Sequence, residues 1–384
     1  MTDIAQVFEQ QFGHPPAVVG RAPGRVDLMG GHTDYNDGFV FPIALAQHIA
    51  IAASPREDRT LRVYSQNFDE WAEVSLDDLR RLDETRWVNY MSGVAHFLQE
   101  EGIELRGLDG AVWGDVPIGS GLSSSAAMEV ASAVTFQALN GFEMEPVKMA
   151  LLCQRAENDF VGMNCGIMDQ FISLLGRADH ALLIDCRSLD HEAVRIPAEG
   201  YKFLVCDTAV PRQLVDSEYN TRRAQCEQAV ELLQQALPDI KALRDVTLEQ
   251  LDDHRDLLPE VVYRRARHVV TENGRVLAAA EAMRRGDIEA LGPLFSASHD
   301  SHRYDYEVTI PALDIISQTA VDVPGAHGAR MTGAGFGGCS VCLCEEEAIE
   351  AYTEELTRRY LEQIGHEPKV YVCQAEDGAT VERL

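Results

Sequence analysis

The chain has 384 residues, 46% of them hydrophobic and 25% charged, and 62 acidic against 33 basic side chains leave a formal net charge of −29. That excess of carboxylates argues against nucleic acid or an anionic membrane as a main partner, since both select basic surfaces. The length exceeds what one hydrophobic core usually serves, so two domains are expected, and no apolar run is long enough to span a bilayer.

Residues 3–12 have the spacing of a short amphipathic helix, and Met1–Gln6 lacks the basic and apolar pattern of a secretory leader, so a cytoplasmic protein is expected. An extended stretch at 17–20 leads into Arg21–Gly38, whose Pro, Gly and Asn punctuation reads as a long loop dense in Arg, His and Asp. Residues 39–53 and 59–64 read as strands, 86–99 as a helix, and 110–115 as a strand. Helices are expected at 123–138 and 146–158, and strands at 181–185 and 203–207. A seam near residue 195 divides a domain 1–195 from a domain 196–384. Helical periodicity then dominates at 217–236, 258–284, 287–300 and 309–320. A glycine-rich loop at 328–338, a strand at 339–344, a helix at 346–362 and a strand at 369–373 complete the chain.

The run Pro117-Ile118-Gly119-Ser120-Gly121-Leu122-Ser123-Ser124-Ser125-Ala126 joins a flexible turn to a helix start. Glycine lets the backbone come close to a ligand, and the first amides of a helix have no intrahelical partner. Three successive hydroxyls add donors and a hard oxygen for a cation. The combination suits an anion such as a nucleotide phosphate.

Other glycine-rich signals are weaker. Gly333, Gly335 and Gly338 satisfy GxGxxG, but alternating residues of strand type follow where a dinucleotide fold needs a helix. That loop is left as a phosphate neighbour or a structural turn. None of the four lysines follows a glycine, which excludes a Walker A loop. Cys339 and Cys342 form a CxxC without a second pair at matching spacing; with Cys344 they read as core thiols rather than a zinc site. Asp34, Glu157 and Asp169 lie near glycine-rich turns. Asp169 stands among Ile167, Met168, Phe171 and Ile172, so its carboxylate needs a partner, for which Arg25 is a candidate. His32 has two ring nitrogens able to hold a polyol.

Taken together, Gly24-Arg25-Val26-Asp27-Leu28-Met29-Gly30-Gly31-His32-Thr33-Asp34-Tyr35-Asn36, the run Gly119–Ala126 and Met331-Thr332-Gly333-Ala334-Gly335-Phe336-Gly337-Gly338 resemble the three signature segments of the galactokinases. Cys165–Gln170, Leu183–Ser188 and Ser217–Arg223 are similar to further galactokinase text, and the likeness runs over nearly the whole chain. It implies an α/β (α+β) fold of two parts, a half like ribosomal S5 domain 2 and a ferredoxin-like half, with the active site between them. It implies ATP-dependent phosphorylation of a sugar at its anomeric hydroxyl. By position, Asp169 would be the catalytic base and Arg25 its charge partner. Gly119, Ser120, Gly121, Leu122, Ser123, Ser124 and Ser125 would cradle the ATP phosphates, with Ser65 a further ATP contact. Ser125 and Glu157 would hold Mg²⁺. Gly31, His32, Thr33, Asp34, Gly166, Asp169 and Tyr219 would bind the sugar. A monomer acting on ATP and a small sugar is expected.

Two positions depart from the galactokinase pattern: Gly31 stands where these enzymes carry a glutamate expected to grip the C6 hydroxyl, and Asp27 replaces an asparagine. Losing that carboxylate removes a hydrogen bond worth about 1 kcal/mol. L-arabinose and galacturonate therefore stand beside galactose as expected substrates. A non-catalytic sugar and ATP sensor on the same fold is the alternative of another class, although the Ser123-Ser124-Ser125 stretch and Asp169 are intact.

Overall fold

The computed structural model describes residues 3–210 and 215–384; Met1 and Thr2, where the leader reading began, lie outside them. Helix α1 (Ile4–Phe12) starts where the Asp3 side chain accepts from the amides of Ala5 and Gln6, and stops at Gly13 with φ 78°. The next strands are β1 (Val18–Met29), β2 (Phe39–Pro55), β3 (Thr60–Ser65) and β4 (Glu70–Ser75). Helix α2 (Asn89–Glu100), β5 (Leu108–Gly114), α3 (Ser124–Asn140), α4 (Pro146–Arg155) and α5 (Met168–Leu175) follow, then β6 (His180–Asp185) and β7 (His191–Arg195). The remaining elements are β8 (Tyr201–Asp207), α6 (Val215–Leu233), α7 (Leu248–Asp253), α8 (Glu260–Arg284), α9 (Leu291–Asp300), α10 (Pro311–Asp322), β9 (Ala326–Thr332), β10 (Cys339–Glu345), α11 (Ile349–Gln363), β11 (Lys369–Cys373) and β12 (Thr380–Arg383).

Two sheets organise these elements. The larger has the order β12-β1-β2-β5-β3-β4, with β6 on β2 and β7 on β6; the β3–β5 pair is parallel and the others antiparallel. The smaller is an antiparallel sheet, β11-β8-β10-β9. Helix α3 is buried over eleven successive residues, Ala126–Phe136, and so packs all round rather than along one stripe. Cys339, Cys342 and Cys344 are buried in β10, as core thiols.

The first half of the expected loop at 21–38 is strand. Residues 18–29 pair with β2, and a register shift between Pro23 and Arg25 absorbs the Pro-Gly pair. Beyond Arg21 the other edge of β1 has no partner strand among the described residues, which tolerates the proline. Likewise the glycine-rich stretch from 328 is strand as far as Thr332, and only 333–338 turns. The last strand, β12, returns from the second half to pair with β1, Val18 opposite Arg383.

A dry polar seam joins the halves. Arg330 on β9 donates from Nη1 to the Asp27 carbonyl on β1 at 2.8 Å and to its Oδ2 at 3.0 Å, with both side chains fully buried. Glu272 on α8 accepts from the Gly30 amide at 3.1 Å, and burial notwithstanding, Arg275 and Arg330 hold its carboxyl well below the ordinary range.

Candidate active site

Between the halves lies a cleft of about 430 Å³, walled by the β1 loop, the Gly119–Ser125 turn, the 162–169 segment, the start of α6 and the 333–334 turn. Arg25 is the only Arg or Lys among its described lining residues, facing the carboxylates of Asp34, Glu157 and Asp169.

The Gly119–Ser125 turn takes its shape from three left-handed residues, Gly119 (φ 76°), Gly121 (φ 89°) and Ser123 (φ 61°). Ser123 precedes α3 but does not cap it; its hydroxyl donates to Asp169 Oδ2. The helix start is thus uncapped by that side chain, and Ser124 and Ser125 line the cleft. Ser120 folds back onto the Pro117 carbonyl at 2.7 Å. Leu122 does not reach the cleft. Its side chain is buried with Val26, Leu28 and Val116, while its carbonyl accepts from the Arg25 amide at 3.0 Å, so it anchors the loop to β1.

Asp169 sits in the first turn of α5. Arg25 grips it in a fork, Nε to Oδ1 at 2.7 Å and Nη2 to Oδ2 at 2.8 Å, and its Nη1 donates to the Gly121 carbonyl at 2.6 Å. One guanidinium thereby ties Asp169 to the Gly119–Ser125 turn, in the bidentate geometry that Lys cannot supply. Glu157 lies in the π-helical turn after α4, hydrogen-bonded to Ser125, Cys165 and Gln170. Burial pushes its carboxyl up to about 7 against the Ser125 hydrogen bond, with the Asp169 charge adding to the rise.

Of the residues expected to bind the sugar, Gly31, His32, Asp34, Gly166 and Tyr219 all line the cleft. A Cβ on Gly166 would overlap the Asp34 carboxylate, so glycine is required there. Burial first, then the Asp169 charge, raises the Asp34 carboxyl to about 7. Tyr219 packs its ring 5.1 Å from Tyr35 and 5.7 Å from His32. Both nitrogens of His32 are engaged within the protein. Nε2 donates to the Ala334 carbonyl at 3.2 Å, which leaves Nδ1 to accept from Tyr35 Oη at 2.9 Å. The imidazole therefore couples the β1 loop to the 333–338 turn, and burial drives its pKa down to about 3. Thr33, expected among the sugar contacts, faces away. It is fully buried and its hydroxyl reaches the carbonyls of Gly30 at 2.7 Å and Phe39 at 2.6 Å, closing the loop.

Ser65, at the end of β3, lines a side pocket of about 150 Å³ with Asn67, Phe68, Trp87, Tyr90 and Met128. Tyr90, Ile118, Ser124 and Ser125 belong to both spaces, so the pocket opens beside the phosphate loop. Sequence reasoning missed its aromatic walls, because Trp87 and Phe68 lie on separate elements far from any motif. It also gave no role to Gln170, although that residue ends the galactokinase-like Cys165–Gln170 segment beside Asp169.

A glycine-serine turn at a helix start, a clamped aspartate and a carboxylate–hydroxyl pair share one cleft, the parts that a small-molecule kinase needs. Matches to the GHMP kinases N terminal domain over residues 89–177 and to the GHMP kinases C terminal domain over 279–362 agree with that class, and the galactokinase galactose-binding signature matches residues 6–55. The chain is 48% identical to the galactokinase of Roseiflexus sp. (strain RS-1), over 98% of this chain and 96% of that protein. It is also 48% identical to the galactokinase of Chloroflexus aurantiacus, over 99% and 97%. The crystal structure of Lactococcus lactis galactokinase complexed with galactose superposes with a TM-score of 0.95 at 36% identity, covering 98% of each chain. The chain belongs to the galactokinase family. Methanococcus jannaschii mevalonate kinase shares the fold, with a TM-score of 0.66 at 16% identity over 94% of this chain and 98% of that one.

Proposed function

We propose that this chain transfers the γ-phosphoryl group of ATP to the anomeric hydroxyl of galactose, with Asp169 as the base. The observation that carries the assignment is the fork between Arg25 and Asp169, set beside the uncapped start of α3. Asp169 takes the C1 hydroxyl proton as that oxygen attacks the γ-phosphorus, and the bond to the β-phosphate oxygen breaks to release ADP. Arg25 keeps the carboxylate oriented and its charge faces the transferring group. The Gly119–Ser125 turn and the α3 amides hold the phosphates, and the Ser65–Trp87 pocket is the apolar space for the base of the nucleotide.

The donor set suits Mg²⁺. Ser125 and Glu157 supply one hydroxyl and one carboxylate, hard oxygens beside the phosphate loop, the arrangement Mg²⁺ takes when phosphates and water complete its shell. Bound there, the ion would neutralise β- and γ-phosphate oxygens that a cleft with one arginine among its described lining residues leaves largely unpaired. Sugar specificity rests on Gly31, Asp34, Gly166 and Tyr219, with His32 and Thr33 shaping the loop.

Domain boundaries near residue 195, with the last strand returning to the first half, a cytoplasmic location and a monomeric state belong to the same proposal. The nine cysteines form no disulfides, and no described helix is long and apolar enough to cross a membrane. Initial rates of ADP release with galactose, 2-deoxygalactose, L-arabinose and galacturonate test the reading. Release dependent on galactose supports it. A faster pentose or uronate would move the substrate, and binding without release would make the chain a sensor.

A further inference from the structure

Behind the cation site the structure holds a second carboxylate that the reaction above does not use. Glu129 lies on α3, one helical turn beyond Ser125 and on the same face, and is fully buried. The charges that bear on it are other carboxylates, Glu157 and Asp169, and burial drives its own carboxyl well above the ordinary range. Its polar partner is Gln170 on α5, also fully buried, whose Nε2 donates to Glu129 Oε2 at 3.0 Å and to Glu157 Oε2 at 2.7 Å. One amide group thus bridges the two acids. Oε1 of Glu129 and Oε1 of Gln170 are both buried without a hydrogen-bond partner, so the ladder keeps polar atoms in a dry place at a cost. An apolar residue would fill the α3 position more cheaply, unless the ladder serves the group at its open end.

We propose that Glu129 is a positioning residue for the cation: through Gln170 it fixes the Glu157 carboxylate in the orientation from which, with Ser125, it takes Mg²⁺. The proposal rests on the Ser125–Glu157 assignment above. Groups that orient a metal ligand from behind commonly change metal affinity when removed, without touching the ion.

The test is calorimetric titration of a non-hydrolysable ATP analogue at a series of Mg²⁺ concentrations, with galactose binding measured separately without metal. Glu129→Leu should raise the half-saturating Mg²⁺ roughly 10–100-fold while metal-free galactose binding is unchanged. Gln170→Met breaks the ladder from the other side and should give the same phenotype, and the double variant should be no worse than the poorer single, because both remove one interaction. Glu129→Gln keeps an acceptor for Gln170, so its half-saturation should stay within about threefold of wild type. Wild-type metal titrations in both Glu129→Leu and Gln170→Met would overturn the proposal. So would parallel loss of metal and galactose binding, which marks a general packing role, or a Glu129→Gln variant as weak as Glu129→Leu. If the wild type itself binds the analogue without regard to Mg²⁺, the cation assignment falls and Glu129 falls with it.

Discussion

His302 occupies the space that a side chain on Gly31 would need. A Cβ built there would collide with His302 Nε2 and stand 2.7 Å from Nη2 of Arg330. His302 Nδ1 donates to the Ser298 carbonyl at 2.7 Å, so Nε2 carries the lone pair, and that atom and Arg330 Nη2 are both buried without a hydrogen-bond partner. Two nitrogens without a hydrogen bond therefore face the position at which the family resemblance puts a carboxylate, although Arg330 Nη2 stands 3.7 Å from Glu272 Oε1 in an ion pair. Gly31 has no positive φ, so crowding, not backbone conformation, bars a larger residue.

Gly31→Glu alone should consequently lower the melting temperature, by an overpacking cost of about 1–3 kcal/mol. Combining it with His302→Ala opens the space and gives Arg330 Nη2 a hydrogen-bond acceptor beside its ion pair with Glu272, so the double variant should recover most of the loss. In that background the preference for galactose over L-arabinose in kcat/KM should rise roughly five- to thirtyfold, the value of one added hydrogen bond to C6. A double variant that melts like the single one would show that the imidazole is not the obstacle.

Asp169→Asn removes the proton acceptor while leaving the fork of Arg25 one oxygen to hold. Turnover should fall by about 10²–10⁴-fold with ATP affinity nearly intact. Near-normal kcat in a correctly folded variant would take Asp169 out of the base role.

Ser125→Ala and Glu157→Gln should each raise the Mg²⁺ needed for half-maximal rate by about tenfold or more, since each deletes one hard oxygen from the proposed two-ligand site. An unchanged titration curve in both would place the cation elsewhere.

The three glycine-rich segments, Asp169 and Glu157 were legible because their chemistry is local: turn residues, a helix start and acids beside apolar neighbours. The Arg25–Asp169 pair was legible only as a possibility, since 144 residues separate the partners. What stayed hidden depends on pairing and packing. Pro23 and Gly24 read as loop, yet β2 holds them in a strand through a register shift. Strand β12 has four exposed residues and no apolar alternation to announce it; its partner β1 makes it a strand. His32 looked like a free polyol ligand because neither Tyr35 Oη nor the Ala334 carbonyl can be placed from composition. Thr33 and Leu122 read as binding residues from their motifs, and burial turned both inward.

The last prediction concerns Asp34 and pH. Its carboxyl is raised to about 7 in the fold, from an ordinary value near 3.8, first by burial and then by the neighbouring Asp169 charge. Between about pH 4 and 7 the folded chain therefore holds a proton that the unfolded chain has lost, so this group makes stability fall as pH rises through that window and adds nothing further above it. Buried histidines act in the opposite sense over an overlapping range. His32 is lowered to about 3 and His268 to about 4, so the unfolded state binds their protons first and stability from them rises with pH up to about 6.5. The wild-type curve is the sum, and the difference between Asp34→Asn and wild type isolates the acid. Measured on ligand-free protein, the Asp34→Asn variant should gain on wild type between pH 5 and 8 by about 1–2 kcal/mol, below the roughly 1.4 kcal/mol per pKa unit of a fully dry site because Asp34 keeps some solvent contact. The gain should shrink when Asp169→Asn is present in both proteins, since the repelling charge is then gone. A difference that stays flat from pH 5 to 8 would mean that Asp34 ionises as an ordinary surface aspartate, and that the acid facing Gly166 is charged before any sugar arrives.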